Sequence, residues 1–154
     1  MGLILKQVAA AVLGTVGFSV LYGVPRQYYP FCGITGGAGW LMYSILIPYC
    51  SSPEATLFAT AVVILLSRLF AVQKRCPVTI FLISGIFPLV PGAGVYWTAY
   101  YIVTNEMELA AQTGFTALKV AVAIVLGIVF VFQLPQGMFR IGMSKQKQGK
   151  ETGM

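Results

Sequence analysis

Apolar runs of bilayer length recur along this chain and are separated by short polar or proline-containing connections. Of its 154 residues, 58% are hydrophobic and 9% are charged, and the mean hydropathy is +0.84. A soluble domain of this length carries roughly a quarter charged residues, whereas a helix needs about 20 apolar residues to cross the hydrocarbon core. The sequence therefore predicts one all-α, polytopic membrane domain over residues 1–140.

We predict five transmembrane helices from these runs. A turn between Pro25 and Pro30 precedes the second, and the polar Ser51–Glu54 segment caps the third. The fifth helix runs from Asn105 to Leu134, and at about 1.5 Å per residue it exceeds the bilayer thickness, so its polar start lies outside the hydrocarbon. The predicted spans are 3–22, 31–47, 55–72, 77–103 and 112–134, followed by a basic tail at 141–154.

Basic residues are distributed unevenly between the two sides that five spans create. One side receives eight Lys and Arg residues, among them Arg26, Lys74 and those of the tail, whereas the other receives Lys6. Cytoplasmic loops of membrane proteins carry an excess of Lys and Arg. We therefore predict an external N-terminus and a cytoplasmic C-terminal tail.

The fourth span contains a proline- and glycine-rich interruption, residues 88–94, which we call the Pro88–Gly94 break. Proline removes an amide donor and clashes with the preceding turn, and irregular backbone within a membrane is tolerated only beside protein or a water-filled cavity. We predict a solute site there, in which the amides of Gly92–Val95 bind a carboxylate and the carbonyls of Ser84–Phe87 take an ammonium or a coupling cation. A kink that serves only packing is the alternative.

Lys119 and Arg68 are charged residues within apolar segments. Lys119 shares a small, polar helical face with Thr116 and Gly127, and an ammonium at that depth is costly unless it pairs or meets water. It either attracts a substrate carboxylate or extends to the headgroups, and Arg68 is expected to extend to the headgroups. The candidate substrate-binding residues are Pro88, Pro91, Gly92, Ala93, Gly94, Tyr96 and Lys119.

Several kinds of chemistry have no residues to support them. The chain has no His or Asp, and its Cys residues are widely separated, so neither a metal site nor a carboxylate pair for acid–base catalysis is predicted. The segment Gly92-Ala93-Gly94 lacks the Lys and Ser/Thr of a phosphate-binding loop. We therefore predict no enzymatic activity, no cofactor and, since the basic residues follow the membrane sides, no nucleic-acid partner.

Small residues form stripes on the first two predicted helices. Gly33 and Gly37 make a GxxxG pattern on the second, and Ala10, Gly14 and Gly17 share a stripe on the first. Such stripes let helix backbones approach closely. They serve either packing within the chain or docking of another subunit, and the pattern alone leaves both readings open.

Four motifs resemble a known family: Val24-Pro25-Arg26, Pro30-Phe31-Cys32 before a Gly-rich helix, Phe87-Pro88-Leu89-Val90-Pro91-Gly92-Ala93-Gly94-Val95-Tyr96, and Leu118-Lys119. From about residue 3 to 135 the chain resembles the threonine/serine exporter family, most closely the short subunit of its two-protein form. The most specific element is Pro-x-x-Pro-Gly-x-x-x-Tyr, here Pro88, Pro91, Gly92 and Tyr96.

This resemblance implies an inner-membrane secondary exporter of small hydroxy amino acids. It also implies a larger transmembrane partner subunit with its own five spans and an additional soluble segment, without which this chain is inactive. Some related two-subunit systems resemble dicarboxylate exporters, with succinate as the substrate. A scaffold subunit without a transport role is a further alternative, and the driving force and the number of assembled copies are left open.

Overall fold

The computed structural model describes residues 2–133, and all of its regular structure is helical, as predicted. The predicted tail at 141–154 lies outside the described residues. The α-helices are α1 Gly2–Leu21, α2 Tyr29–Leu46, α3 Ser52–Lys74, α4 Thr79–Ile86, α5 Gly92–Val103 and α6 Met107–Phe132. Single 3-10 turns precede α2 at Arg26–Tyr28 and follow α4 at Phe87–Leu89.

Three helices, α1, α3 and α6, are long and apolar enough to cross a membrane. The α4 segment with its 3-10 turn and α5 meet those conditions together, as a pair bent by 46°, which allows a fourth crossing. α2 is not among these helices, and four glycines and several hydroxyl-bearing residues occupy its 18 positions. Length and composition thus support three to four crossings, and the five-span arrangement stays a prediction.

The predicted cap of the third helix is confirmed. The backbone N–H of Ser51 donates to Oε2 of Glu54 at 3.0 Å, and the Ser51 side chain accepts from the backbone N–H of Glu54. This reciprocal pairing satisfies amides that the first turn of a helix leaves without intrahelical acceptors. Pro53 occupies the same turn, where its missing N–H costs nothing. The cap therefore fixes the start of α3 at Ser52.

The glycines of α2 pack within the chain. A Cβ at Gly36 would overlap the Thr15 side chain, one at Gly37 would lie 2.6 Å from Val12, and one at Gly33 would lie 3.1 Å from Val16. The side chains of α1 thus sit directly against the α2 backbone. By contrast, a Cβ at Gly14 or Gly17 would have nothing within 4 Å. Of the two predicted stripes, the α2 stripe serves internal packing and the α1 glycines face open space.

The helices α4 and α5 pack on different neighbours. α4 packs on α1, α2 and α3, whereas α5 packs on α6 and contains no buried residue. α3 joins the two halves because it packs on both α2 and α6. One apolar core unites α3, α4, the 3-10 turn and α6: Ala59, Val63, Ile64, Leu82, Leu89, Val120, Ile124 and Val131. A second cluster beside Phe81 and Cys32 includes the aromatic rings of Tyr28, Phe31 and Phe70.

Arg68 binds the end of α6 instead of extending to the headgroups. It is 6% exposed on α3, its Nη1 donates to the carbonyl of Val131 at 2.8 Å, and its Nη2 donates to that of Phe132 at 3.2 Å. The last carbonyls of a helix have no intrahelical donors and carry the negative end of the helix dipole. The guanidinium therefore caps α6 and ties it to α3.

Candidate functional site

The chain leaves helical geometry between α4 and α5. After the 3-10 turn Phe87–Leu89, Val90 is extended with φ −62° and ψ 131°, and α5 begins at Gly92. The two prolines cannot donate, and the chain changes direction at Val90 and at Pro91, whose ψ of 50° is also outside the helical range. The helix axes consequently meet at 46° across the Pro88–Gly94 break.

Only part of the predicted anion-binding backbone is available. The amide of Gly92 already donates to the Val90 carbonyl at 2.7 Å, and that of Val95 donates to the Pro91 carbonyl at 3.1 Å. Ala93 lies between them in the first turn of α5, as does Gly94, and amides in a first turn have no intrahelical acceptor. The four predicted amides are thereby reduced to two.

A cavity of about 580 Å³ adjoins the break. It forms because α5 bends away from α4 and remains on α6, which leaves space between α5 and the ends of α2 and α3. Small-molecule sites commonly fall in this size range. Leu89 and Val120 belong both to the cavity wall and to the apolar core, so they close the cavity toward the middle of the bundle.

Hydroxyl groups line the side of the cavity formed by α3 and α6. Thr56 Oγ1 donates to the Ser52 carbonyl at 2.8 Å, and Thr116 Oγ1 donates to the Gln112 carbonyl at 2.9 Å. Each of these residues lines the cavity, and Ser52 Oγ also lies 3.2 Å from the Tyr43 hydroxyl. A hydroxyl that donates to its own helix still has lone pairs. This wall therefore offers acceptors to an ammonium or a ligand hydroxyl.

Donors without hydrogen-bond acceptors also occur among the groups around the cavity. Besides the amides of Ala93 and Gly94, the cavity-lining Trp40 has its indole Nε1 buried without a hydrogen-bond partner. Buried indole N–H groups normally find an acceptor. Among the residues that line the cavity in the described part of the chain, none is charged. A lining that combines uncharged donors and acceptors suits a small zwitterion.

The structure brings together four of the seven candidate residues. Pro88, Pro91, Ala93 and Gly94 line the cavity, whereas Gly92 and Tyr96 do not. Tyr96 is 63% exposed because it lies on the outer face of α5, where its ring contacts that of Trp97. The resemblance implied a role for Gly92 and Tyr96. The Gly92 amide is paired with the Val90 carbonyl, and the Tyr96 side chain lies on the outer face of α5, so neither residue lines the cavity.

Lys119 lies in a different depression. It lines a groove of about 760 Å³ on the outside of the bundle, between the start of α3 and α6, which we call the α3/α6 groove. Its side chain is exposed, and its Nζ lies 4.8 Å from the centre of the Phe115 ring. The groove shares Ser52 and Thr116 with the cavity, but Lys119 does not line the cavity. Direct contact with a solute in the cavity is therefore not supported.

Sequence reasoning missed most of the polar lining. The usable signal was the spacing of hydroxyls within apolar helices: Ser52 and Thr56 are four residues apart, and Thr113 and Thr116 are three apart, so each pair shares a helical face. Trp40 gave no comparable signal, because its role depends on where α5 bends.

A family model described as the threonine/serine exporter, ThrE, matches residues 7–133. The chain belongs to this family. The resemblance inferred from the motifs is confirmed, and the match extends over nearly the whole of the described bundle. Among curated proteins and among solved structures, none matches the chain.

Membership in the threonine/serine exporter family, together with the apolar helices, identifies a multi-pass membrane protein with a role in exporter-type transport. The lipid bilayer therefore surrounds its apolar helices.

Proposed function

We propose that the protein is one subunit of an inner-membrane secondary exporter of threonine and serine, and that the cavity beside the break is its substrate site. The observation that carries the proposal is an uncharged cavity lined both by first-turn amides of α5 and by hydroxyls of α3 and α6. A zwitterion with a hydroxyl side chain matches both kinds of group, because its carboxylate accepts from the amides and its ammonium and hydroxyl donate to the hydroxyl oxygens. We propose no enzymatic step, because the cavity holds no nucleophile beside a base.

The substrate carboxylate is proposed to bind the amides of Ala93 and Gly94. The dipole of α5 and these N–H groups favour an anion at this position. The ammonium and the side-chain hydroxyl are proposed to bind the oxygens of Thr56 and Thr116. In this arrangement Lys119 acts at most through its long-range field.

A dicarboxylate fits the same cavity less well. Succinate carries two negative charges at neutral pH, and no cationic side chain lines the described cavity. An unpaired charge that leaves water incurs a desolvation cost of several kcal/mol. A net-neutral amino acid avoids this cost, and the cavity therefore favours threonine or serine over succinate.

Export requires the cavity to open in turn to each side of the membrane. The cavity walls are formed by the end of α2, the first turns of α3 and the first half of α6. These parts of the three helices lie near the predicted external side. Leu89 and Val120 close it toward the predicted cytoplasmic side. We propose that the break is the hinge through which α5 moves relative to α4, as discontinuous helices do in other transporters.

We also propose a larger transmembrane subunit as the partner. The resemblance to the short subunit of a two-protein exporter supports it, as does the unburied helix α5. If this chain has five crossings, an odd number, a related five-span unit joined to it head to tail would be inserted in the opposite orientation, which is how inverted repeats arise. A higher oligomer of this pair is compatible with the exposed α1 glycines.

Counterflow in proteoliposomes tests the substrate assignment. Vesicles containing this chain and its larger subunit, preloaded with serine, should accumulate labelled serine and threonine saturably and leave labelled succinate outside. Vesicles with either subunit alone provide the control and should be inactive. Exchange of succinate without exchange of either amino acid would contradict the proposal, and unitary currents would indicate a channel.

The native cysteines test the proposed orientation. Cys50 lies between α2 and α3, Cys76 lies between α3 and α4, and Cys32 is buried. In intact cells a membrane-impermeant maleimide should label Cys50, whereas Cys76 should react only in inverted vesicles. Burial raises the pKa of the Cys76 thiol, so its thiolate fraction at a given pH is smaller than that of a solvated thiol, and its labelling should accelerate as the pH is raised.

Variants that retain one cysteine each provide the matched comparison for this labelling. Reaction of Cys76 in intact cells, with protection of Cys50, would reverse the proposed orientation. A variant that retains only Cys32 should stay unlabelled until the protein is unfolded, because that thiol is fully buried.

A further inference from the structure

The α3/α6 groove lies on the outer surface of the bundle and faces lipid in a multi-pass membrane protein. We propose that it binds one phospholipid whose headgroup carries both a phosphate and a primary ammonium, as phosphatidylethanolamine does. The groove has a volume of about 760 Å³ and combines two opposite charges with an apolar wall. The groove adjoins the substrate cavity at Ser52 and Thr116, but its two charged residues lie outside the cavity, and the inference does not depend on the substrate proposal.

The two charges of the groove lie toward the same end. Glu54 is in the first turn of α3, and the Lys119 side chain extends over Phe115, which is one turn nearer the start of α6. No salt bridge joins Lys119 to Glu54 within the described part of the chain. Each charge is thus available to an opposite charge, Lys119 to a phosphate and Glu54 to an ammonium.

The Glu54 carboxylate can hold a second partner while it caps α3. Its Oε2 accepts from the Ser51 N–H at 3.0 Å, and an ionised carboxylate has about four acceptor positions. An anionic headgroup without an ammonium would be repelled by Glu54. A trimethylated ammonium could not donate a hydrogen bond to it. The pair of charges therefore selects a primary ammonium next to a phosphate.

The apolar wall accounts for the rest of the lipid. Leu118, Val122 and Leu126 follow one another along α6 at four-residue intervals, and Leu57 faces them from α3. At about 1.5 Å per residue this row is about 12 Å long, which matches much of one acyl chain. A free amino acid would leave the row uncovered. A lipid satisfies both the charged end and the apolar row.

Retention of lipid by the purified full chain tests the headgroup part. The chain is extracted in mild detergent, exchanged into mixed micelles with phosphatidylethanolamine, phosphatidylcholine or phosphatidylglycerol, and analysed by native mass spectrometry. The wild type should retain one phosphatidylethanolamine in preference to the other two. Lys119→Gln should lower that retention about fivefold, the effect of one basic residue on an anionic headgroup, whereas Lys6→Gln, which alters an exposed Lys outside the groove, should not.

Glu54→Gln separates the two charges. Glutamine retains the helix cap but not the negative charge, so the variant should keep its fold and lose the preference for phosphatidylethanolamine over phosphatidylglycerol. Equal retention of the three lipids by the wild type would overturn the proposal. So would a loss of retention in Lys6→Gln as large as that in Lys119→Gln.

A bulky substitution tests the acyl part independently. Val122→Trp fills the groove, whereas Val125→Trp places the same side chain on α6 outside it. A phosphatidylethanolamine with a photoreactive acyl chain should label residues 115–126 in the wild type and in Val125→Trp, and lose this labelling in Val122→Trp. Labelling that is equal in all three proteins, or that is displaced by serine, would contradict a lipid site.

Discussion

Tryptophan in place of Ala93 is expected to reduce serine transport about 100-fold while assembly with the larger subunit continues. Ala93 is exposed and lines the cavity, so the indole enters the space proposed for the substrate without displacing a packed residue. A 100-fold loss corresponds to about 2.8 kcal/mol. Initial rates of labelled serine counterflow measure the effect, and co-purification of the two subunits reports assembly.

Ala99→Trp provides the matched control for this variant. Ala99 is also an exposed alanine on α5, but it does not line the cavity. If the protein is only a scaffold, both variants should transport serine at the wild-type rate, and such a result would remove the cavity from the mechanism. Loss of transport in both variants, with loss of assembly, would place the defect at the exposed face of α5, which is proposed to contact the larger subunit, and not in the cavity.

Arg68→Met is expected to lower the free energy of unfolding by about 2–3 kcal/mol. The substitution keeps an unbranched apolar side chain but removes the donors for the last carbonyls of α6, Val131 and Phe132. Leaving buried polar groups without partners has a cost of this order. The guanidinium also lies 5.1 Å from the centre of the Phe132 ring, a contact that is lost with it.

Unfolding of detergent-solubilised protein by a denaturant measures this effect. Arg26→Met is the control, because Arg26 is exposed in the 3-10 turn before α2. Arg68→Lys should fall between wild type and Arg68→Met, since an ammonium donates but cannot reproduce the planar fork of the guanidinium. Equal stability of Arg68→Met and the wild type would show that water can donate the hydrogen bonds that these carbonyls need.

The sequence could predict those features that depend on the types of residue within one short segment. All-α structure followed from apolar runs, and the cap before α3 followed from the types of residue at Ser51 and Glu54. The proline content of residues 88–94 indicated a site candidate because proline has no N–H wherever it occurs. The prediction of four available amides was too large, since pairing of the Gly92 amide with Val90 depends on the exact path of the turn.

Contacts between distant segments could not be predicted in the same way. The hydrogen bonds of Arg68 join residues 63 and 64 positions apart, and only the packing of α3 on α6 brings them together. The polar helical face of Lys119 predicts either attraction of a substrate carboxylate or extension to the headgroups. Which face of α6 points into the bundle depends on α3 and α5, and that packing places Lys119 outside the cavity.

The Leu89 side chain belongs both to the cavity wall and to the apolar core. A ligand that moves the Pro88–Gly94 break therefore also disturbs the apolar core in which Leu89 packs with residues of α3 and α6. Shortening this side chain would enlarge the room available to cargo and simultaneously leave a void in the interior, where voids are costly. A substitution of Leu89 that changes the selectivity of the transporter is thus expected to change its free energy of unfolding as well.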